Sequence, residues 1–455
     1  MKSRLKLQIC FLLLFTLSLQ VRTQGRSSGP EDVFLGGSLP RASFTELGKD
    51  SVSLYARVDS IMTEAILQRA FPGAQLLVAY KGNTVFHKSF GYHTYDSVQP
   101  VRNTDLYDLA SVTKISAALP AIMKLVQEGT LNLDEPLSTY WKAWKHKSNK
   151  RDLTLREILA HQAGLTPYIV YLNEVLSSKG IKRRFGRHTS VSGYGSQAYS
   201  NIYIRDRFKR KIYRMANRSE VSLEKKYKYS GLTFLLFPKI VEDLSGISFE
   251  QYVRQNFYEP LGLDSLLFRP ALKYPISAIV PTEEDSLFRK ELTRGWVHDE
   301  NASLMGGISG NAGLFSTAED LGVLMQLYAN YGQWNGKRLL DEAIVREFAR
   351  VQFPENENRR GLGFDKPLLN NPELDLNESY PAPGVSLNSF GHSGFTGTFV
   401  WADPDNELVY IFLSNRVYPS RTHQGIYSLN VRNRIQQLFY DALIGDSVIN
   451  GEINP

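Results

Sequence analysis

The strand patterns of this chain lie near its two ends, and the helical patterns lie between them. Ala74 to Tyr80 and Thr84 to Gly91 are apolar, β-rich runs parted by Lys81-Gly82-Asn83, which reads as an antiparallel hairpin. Ahead of the hairpin, Leu54, Val58, Ile61, Ile66 and Leu67 recur at helical spacing across Ser53 to Ala70. Near the other end, Ser389 to Gly394 leads into Thr398 to Asp403 and Leu408 to Ser414, which alternate around Pro404-Asp405-Asn406. A last helix spans about Ser428 to Leu443. A hairpin alone is marginal in water, so each end needs the other. The economical solution is an α/β (α+β) fold: one antiparallel sheet built from both ends, flanked by N- and C-terminal helices, with an all-helical subdomain inserted. The sheet part takes about 50–110 and 330–445, the helical part about 111–329, and the cleft between them is the natural site.

Helices fill the middle. Ser111 to Gln127 carries Ile115, Leu119, Ile122, Met123 and Val126 on one face, and Pro120 is expected to kink it. Leu153 to Ala160, Leu232 to Leu244 and Leu314 to Ala329 follow the same period, with Gly129, Gly164, Gly246 and Gly332 at helix ends.

The first 23 residues read as an export signal. Lys2, Arg4 and Lys6 precede an apolar run from Leu7 to Leu19 that is short for a membrane span. Cleavage after Thr23 would leave an exported, periplasmic or secreted protein with no span, an extension at 24–49 and a tail at 446–455. The single cysteine, Cys10, would leave with the signal, which excludes disulfides and thiolate chemistry from the mature chain. The formal charge of +7 falls by four, to +3, on loss of Lys2, Arg4, Lys6 and Arg22. What bias remains is local: 14 Lys or Arg stand against 3 Asp or Glu between Ile181 and Lys228. That stretch reads first as a solvated face and second as a surface for an anionic envelope polymer or lipid. It lacks the aromatic interleaving of a nucleic-acid binder. Its place just before Tyr229 predicts a lid over the cleft.

Ser-x-x-Lys occurs at Ser3, Ser111 and Ser222. Only Ser111 opens a strongly apolar helix. There Lys114 shares its face and can reach the hydroxyl, while the helix N-terminus favours a developing alkoxide. This pairing is one way to activate a serine. His298-Asp299-Glu300-Asn301-Ala302 does not match a metal-ligand spacing and reads as a structured loop lining the cleft. Gly-x-Ser-x-Gly, phosphate-loop and dinucleotide motifs are absent, and no metal or organic cofactor is expected.

Asp108-Leu109-Ala110-Ser111-Val112-Thr113-Lys114 resembles the nucleophile motif of the serine β-lactamase and penicillin-binding protein superfamily. Leu153 to Leu165, Tyr229-Ser230-Gly231, Pro260 to Leu263, Gly313 to Leu321 and His392-Ser393-Gly394-Phe395-Thr396-Gly397 are similar, in order, to its other segments. The resemblance covers about residues 50 to 445. It implies Ser111 as nucleophile, Lys114 beside it, and Tyr229 as partner base, with Tyr227 the fallback. It implies an oxyanion hole from the backbone N–H groups of Ser111 and Phe395. His392 would orient a substrate carboxylate or the tyrosine, beside Ser393, and Gly394 would let the substrate backbone approach. One departure stands out: Gly231 occupies a position usually held by Asn or Asp, a side chain that bonds the lysine and the substrate. The implied function is an acyl-enzyme hydrolase of esters, D-amino-acid peptides or β-lactam-like amides. Esterase or D-peptidase activity is expected ahead of efficient β-lactam hydrolysis, on small-molecule or peptide substrates, peptidoglycan fragments among them. The alternative is a weakly active or inactive module of the same fold that binds cell-wall fragments.

Overall fold

The computed structural model describes residues 37–49 and 51–445. The export signal, the first part of the 24–49 extension and the 446–455 tail lie outside the described residues. Five strands form one antiparallel sheet: β1 (Gly73–Tyr80), β2 (Asn83–Gly91), β3 (Phe390–Ser393), β4 (Phe399–Asp403) and β5 (Leu408–Ser414). Their order is β3-β4-β5-β1-β2, so the two ends of the chain meet where β1 pairs with β5, from Ala74 opposite Ser414 to Tyr80 opposite Leu408. The helices α1 (Val52–Leu67), α2 (Leu119–Gln127), α3 (Ala318–Ala329) and α4 (Val431–Leu443) complete the frame.

Side-chain alternation assigns the two faces. Leu76, Val78, Trp401, Tyr410 and Phe412 form one core with Val58 and Met62 of α1 and Ile435 and Phe439 of α4. Leu77, Val400, Val409, Ile411 and Leu413 form another with α2 and with Leu321, Leu324 and Met325 of α3. With both faces covered, the strands read as near-continuous apolar runs. Gln75, wholly buried in β1, donates to the carbonyls of Arg102 (2.7 Å) and Asp105 (2.8 Å) and accepts from Ala318 N–H (2.9 Å). It ties the sheet to both chain segments that border the cleft.

Two expectations for the middle are corrected. The inserted part is not wholly helical: Leu314–Ser316 is a strand between Tyr107–Asp108 and Leu267–Phe268, and only after the Thr317 cap does α3 begin. Gly186–Arg187, Ser196–Tyr199 and Ile202–Ile204 make another small sheet. Short apolar runs do not distinguish strand from helix by period alone.

The nucleophile segment is built in three pieces. A single 3-10 turn covers Ala110–Val112, a π-turn covers Lys114–Ala118, and α2 follows, with Pro120 in its first turn, where its missing N–H is tolerated. The carbonyls four and five residues before Pro120 would otherwise be orphaned in the core. Tyr258 donates its hydroxyl to Ser116 O at 2.7 Å, and Tyr328 donates to Ile115 O at 2.8 Å. A π-turn thus precedes Pro120, and two tyrosine hydroxyls meet the carbonyls beside it. Tyr258→Phe leaves the Ser116 carbonyl buried and unsatisfied. It should cost about 1–3 kcal/mol, read as a lower urea midpoint with the enzyme otherwise native by circular dichroism.

Candidate active site

Ser111 follows a strained residue. Ala110 has φ +45°, a left-handed conformation unusual for alanine. Asp108 holds that turn: its carboxylate accepts Ala110 N–H at 2.8 Å and His298 N–H at 2.6 Å. Burial raises the Asp108 pKa, opposed by these two bonds. The turn is strapped to the β3–β4 connection, since Thr396 Oγ1 donates to Asp108 O (2.7 Å) and Thr398 Oγ1 to Leu109 O (3.0 Å). Gly394 sits under this strap. A Cβ there would lie 2.1 Å from Thr398 Oγ1 and 2.4 Å from Leu109 O, so only glycine fits.

Three side chains converge as the motifs implied. Lys114 Nζ donates to Ser111 Oγ at 2.9 Å and to Asn311 O at 3.0 Å. Tyr229 OH donates to Ser111 Oγ at 3.3 Å. Lys114 is 2% exposed, and among the described residues no carboxylate pairs with it. Its ammonium also lies 5.4 Å from the Tyr229 ring centre and 5.5 Å from that of Phe234. Tyr227 lies farther out, beside His161 at 6.5 Å between ring centres, and has no bond to Ser111.

Ser111 opens into a cavity of about 420 Å³ that Tyr168, Leu287, His298, Asn311 and Phe395 help to line. The backbone N–H groups of Ser111 and Phe395 have no acceptor among the described residues. Two unmet donors at one cavity wall can receive an oxyanion. Part of the lining is ionic but largely self-paired. Arg421 bonds Glu283 (2.8 Å) and Glu300 (2.8 Å), and His298 Nε2 lies 2.9 Å from Glu283. Those partners hold the Glu283 carboxyl well below the usual range despite its burial. His298 also stacks on Phe395, ring centres 5.9 Å apart. Asp299 caps the following short helix through Ala302 N–H (2.7 Å), so the 298–302 stretch is a structured loop at the cavity wall. A larger cavity, of about 570 Å³, is lined by Glu250, Arg254, Tyr258 and Phe268 and contains none of these groups.

Other implied site residues stand elsewhere. His392 is buried behind Tyr229, 6.1 Å between ring centres. Burial, with Arg360 and Lys114 nearby, pushes its pKa down to about 3. Ser393 ends β3 opposite Phe399, and its carbonyl accepts from His392 Nδ1 at 2.7 Å. Gly231 N–H donates to Pro167 O at 3.2 Å, and a Cβ there would meet open space. The second bond that Gly231 cannot give to Lys114 comes from the Asn311 carbonyl. The Asn311 side chain is held by Ser309 Oγ (2.7 Å) and Asp299 (3.2 Å). Asn311 was not visible in the sequence, because a backbone acceptor leaves no side-chain signature. The lid expectation is also corrected: no residue between 181 and 228 lines the cavity. Phe208, Ile212, Tyr199 and Ile204 instead seat that segment on Trp296, Leu304 and Met305.

The family model for beta-lactamase matches residues 56–431. The chain belongs to the beta-lactamase family. It is 30% identical over 407 residues to a Salmonella heidelberg (strain SL476) protein named "Putative D-alanyl-D-alanine carboxypeptidase", covering 83% of this chain and 86% of that one. The fold is shared with a penicillin-binding protein homologue from Caulobacter crescentus (TM-score 0.58, 18% identity, 85% of this chain and 97% of that chain). It is shared equally with EstCE1, described as a hydrolase with promiscuous acyltransferase activity (TM-score 0.58, 18% identity, 84% and 98%). This beta-lactamase-family hydrolase depends on Gly394 for the seat of its serine. Gly394→Ala should cost about 1–3 kcal/mol through overpacking, and displace Ser111. A lower melting temperature together with at least tenfold slower p-nitrophenyl ester hydrolysis is expected.

Proposed function

We propose that this protein is an exported serine hydrolase that works through an acyl-enzyme on Ser111, acting on esters or on amides of D-amino-acid peptides. The observation that carries the reading is the Ser111 hydroxyl within hydrogen-bond reach of both Lys114 and Tyr229 at the wall of a cavity. In the first half-reaction Ser111 Oγ attacks the substrate carbonyl, and its proton passes to the Lys114–Tyr229 pair acting as general base. The N–H groups of Ser111 and Phe395 hold the oxyanion. The pair then gives its proton to the leaving alcohol or amine. Water repeats the sequence in reverse and frees the enzyme.

The name of the Salmonella relative supports a peptide ending in D-amino acids, and therefore a wall-derived substrate. Export rests on the Lys2 to Leu19 pattern. Among the described residues, no helix is long and apolar enough to cross a membrane. Arg207, Arg210, Arg214 and Arg218 are exposed along one side of the helix Phe208–Arg218, a surface suited to an anionic envelope.

The second reading, a binding module without turnover, is favoured by Gly231. Intact-mass detection separates the two. With p-nitrophenyl esters and a penicillin probe, the wild type should gain the mass of one acyl group and Ser111→Ala none. No adduct with any probe would favour the binding module.

A further inference from the structure

The third motif carries a histidine, and that histidine is not a cation. His392 donates from Nδ1–H to Ser393 O at 2.7 Å, and its Nε2 faces Arg360 Nη2 at 3.4 Å. Both ring nitrogens are thereby engaged, one as donor and one as acceptor, which is the neutral tautomer. The charge beside it belongs to Arg360, whose guanidinium is 2% exposed and stands 5.7 Å from the Tyr229 ring centre.

We infer that Arg360 supplies the positive charge of the third motif and acts on the reaction as a positioning residue, favouring loss of the Tyr229 proton. The inference rests on the Ser111 acyl-enzyme reading. Arg360 is delivered by a segment bound to the sheet edge: Asp365 and Gly391 exchange backbone bonds of 2.8 and 3.0 Å, one residue from His392. Arg360 pairs with Asp365 at 2.8 Å, and Arg359 takes the same carboxylate at 2.8 Å. Two guanidinium groups on one carboxylate leave a net positive charge, and the one facing Tyr229 is Arg360.

Lys114 is the other cation beside Tyr229, and the remaining groups around the ring carry no positive charge. Lys114 approaches from the nucleophile segment at 5.4 Å and is engaged with Ser111 and Asn311. His161, beyond the helix Leu155–Leu159, packs on the ring at 4.5 Å; burial, with Arg360 and His392 nearby, keeps it neutral. Its Nδ1 accepts Ser230 N–H at 3.2 Å, which fixes the ring rather than charging it. Tyr227, on the same segment as Tyr229, has its own pKa raised by burial. Among the described residues, the carboxylate paired with Arg360 is Asp365, and it is shared with Arg359. A cation within about 6 Å favours the ionised form of a phenol by about one pH unit or more.

The test is the pH dependence of kcat/KM for p-nitrophenyl ester hydrolysis by wild type, Arg360→Lys, Arg360→Gln and Asp365→Asn, each checked for native circular dichroism. Removing the cation disfavours the phenolate, so Arg360→Gln should move the acid limb up by about one pH unit, with kcat falling and KM nearly unchanged. Arg360→Lys should restore the wild-type limb. Asp365→Asn releases both arginines from their counter-charge and should move the limb down. If Arg360→Gln fails to fold, the sign of the Asp365→Asn shift decides. A folded Arg360→Gln or Asp365→Asn variant with an unmoved acid limb overturns the inference. The wild-type acyl-enzyme mass separates its failure from that of the parent reading: an adduct with unmoved limbs removes Arg360 alone, and no adduct removes both.

Discussion

The pairing of β1 with β5 is the interaction on which the rest of this structure depends. It joins residues more than three hundred positions apart in the chain, from Ala74–Ser414 to Tyr80–Leu408. Closing so long a loop costs little more than closing a shorter one, because the entropy grows only with the logarithm of length. The buried faces of both strands offset it. Once β5 is in place, β4 and β3 follow by short turns, and the β3–β4 connection arrives with Thr396 and Thr398 in position to grip Asp108 and Leu109. The geometry of Ser111 is therefore set by a segment from the far end of the chain. The left-handed Ala110 is held there by surrounding bonds rather than by its own preference.

The same dependence explains what could be read from the sequence. The five strands and the two outer helices were legible because each carries its own signal, alternation or helical spacing bounded by turn residues. Their ends fell within about three residues of the observed ones. Ser111, Lys114 and Tyr229 were legible because each sits in a contiguous motif, and the fold brings those motifs together as the resemblance implied. The residues that escaped notice act across the chain. Tyr258 and Tyr328 meet the carbonyls of Ser116 and Ile115 ahead of Pro120. Arg360 meets His392 only because Asp365 pairs with Gly391. The place of segment 181–228 just before Tyr229 predicts a lid. Its apolar side chains instead found a core of their own around Trp296 and Met305.

Gly231 shows how such distant contacts change the meaning of a local departure. Read alone, the missing amide removes an anchor for Lys114. In the structure that anchor is a backbone carbonyl, Asn311 O, set in place through Ser309 and Asp299. A carbonyl accepts a hydrogen bond without carrying charge, whereas an aspartate at position 231 would offer Lys114 a counter-ion. A buried lysine held by neutral acceptors keeps its charge available to its two working neighbours, the serine hydroxyl and the tyrosine.

The wider site follows the same distribution. Two histidines touching the tyrosine are neutral, and Asp365, the carboxylate paired with Arg360, is shared by two arginines. Across the cavity, Glu283 and Glu300 are occupied by Arg421 and His298. Glu283, Glu300 and Asp365 thus each meet a cation, while Asp108 and Asp299 are held by N–H donors. The surroundings of Ser111 and Tyr229 keep a positive balance from Lys114 and Arg360. Such a field does little for a neutral ground state and much for an alkoxide or a tetrahedral oxyanion. The arrangement of charge therefore argues for turnover over simple binding, independently of any one motif.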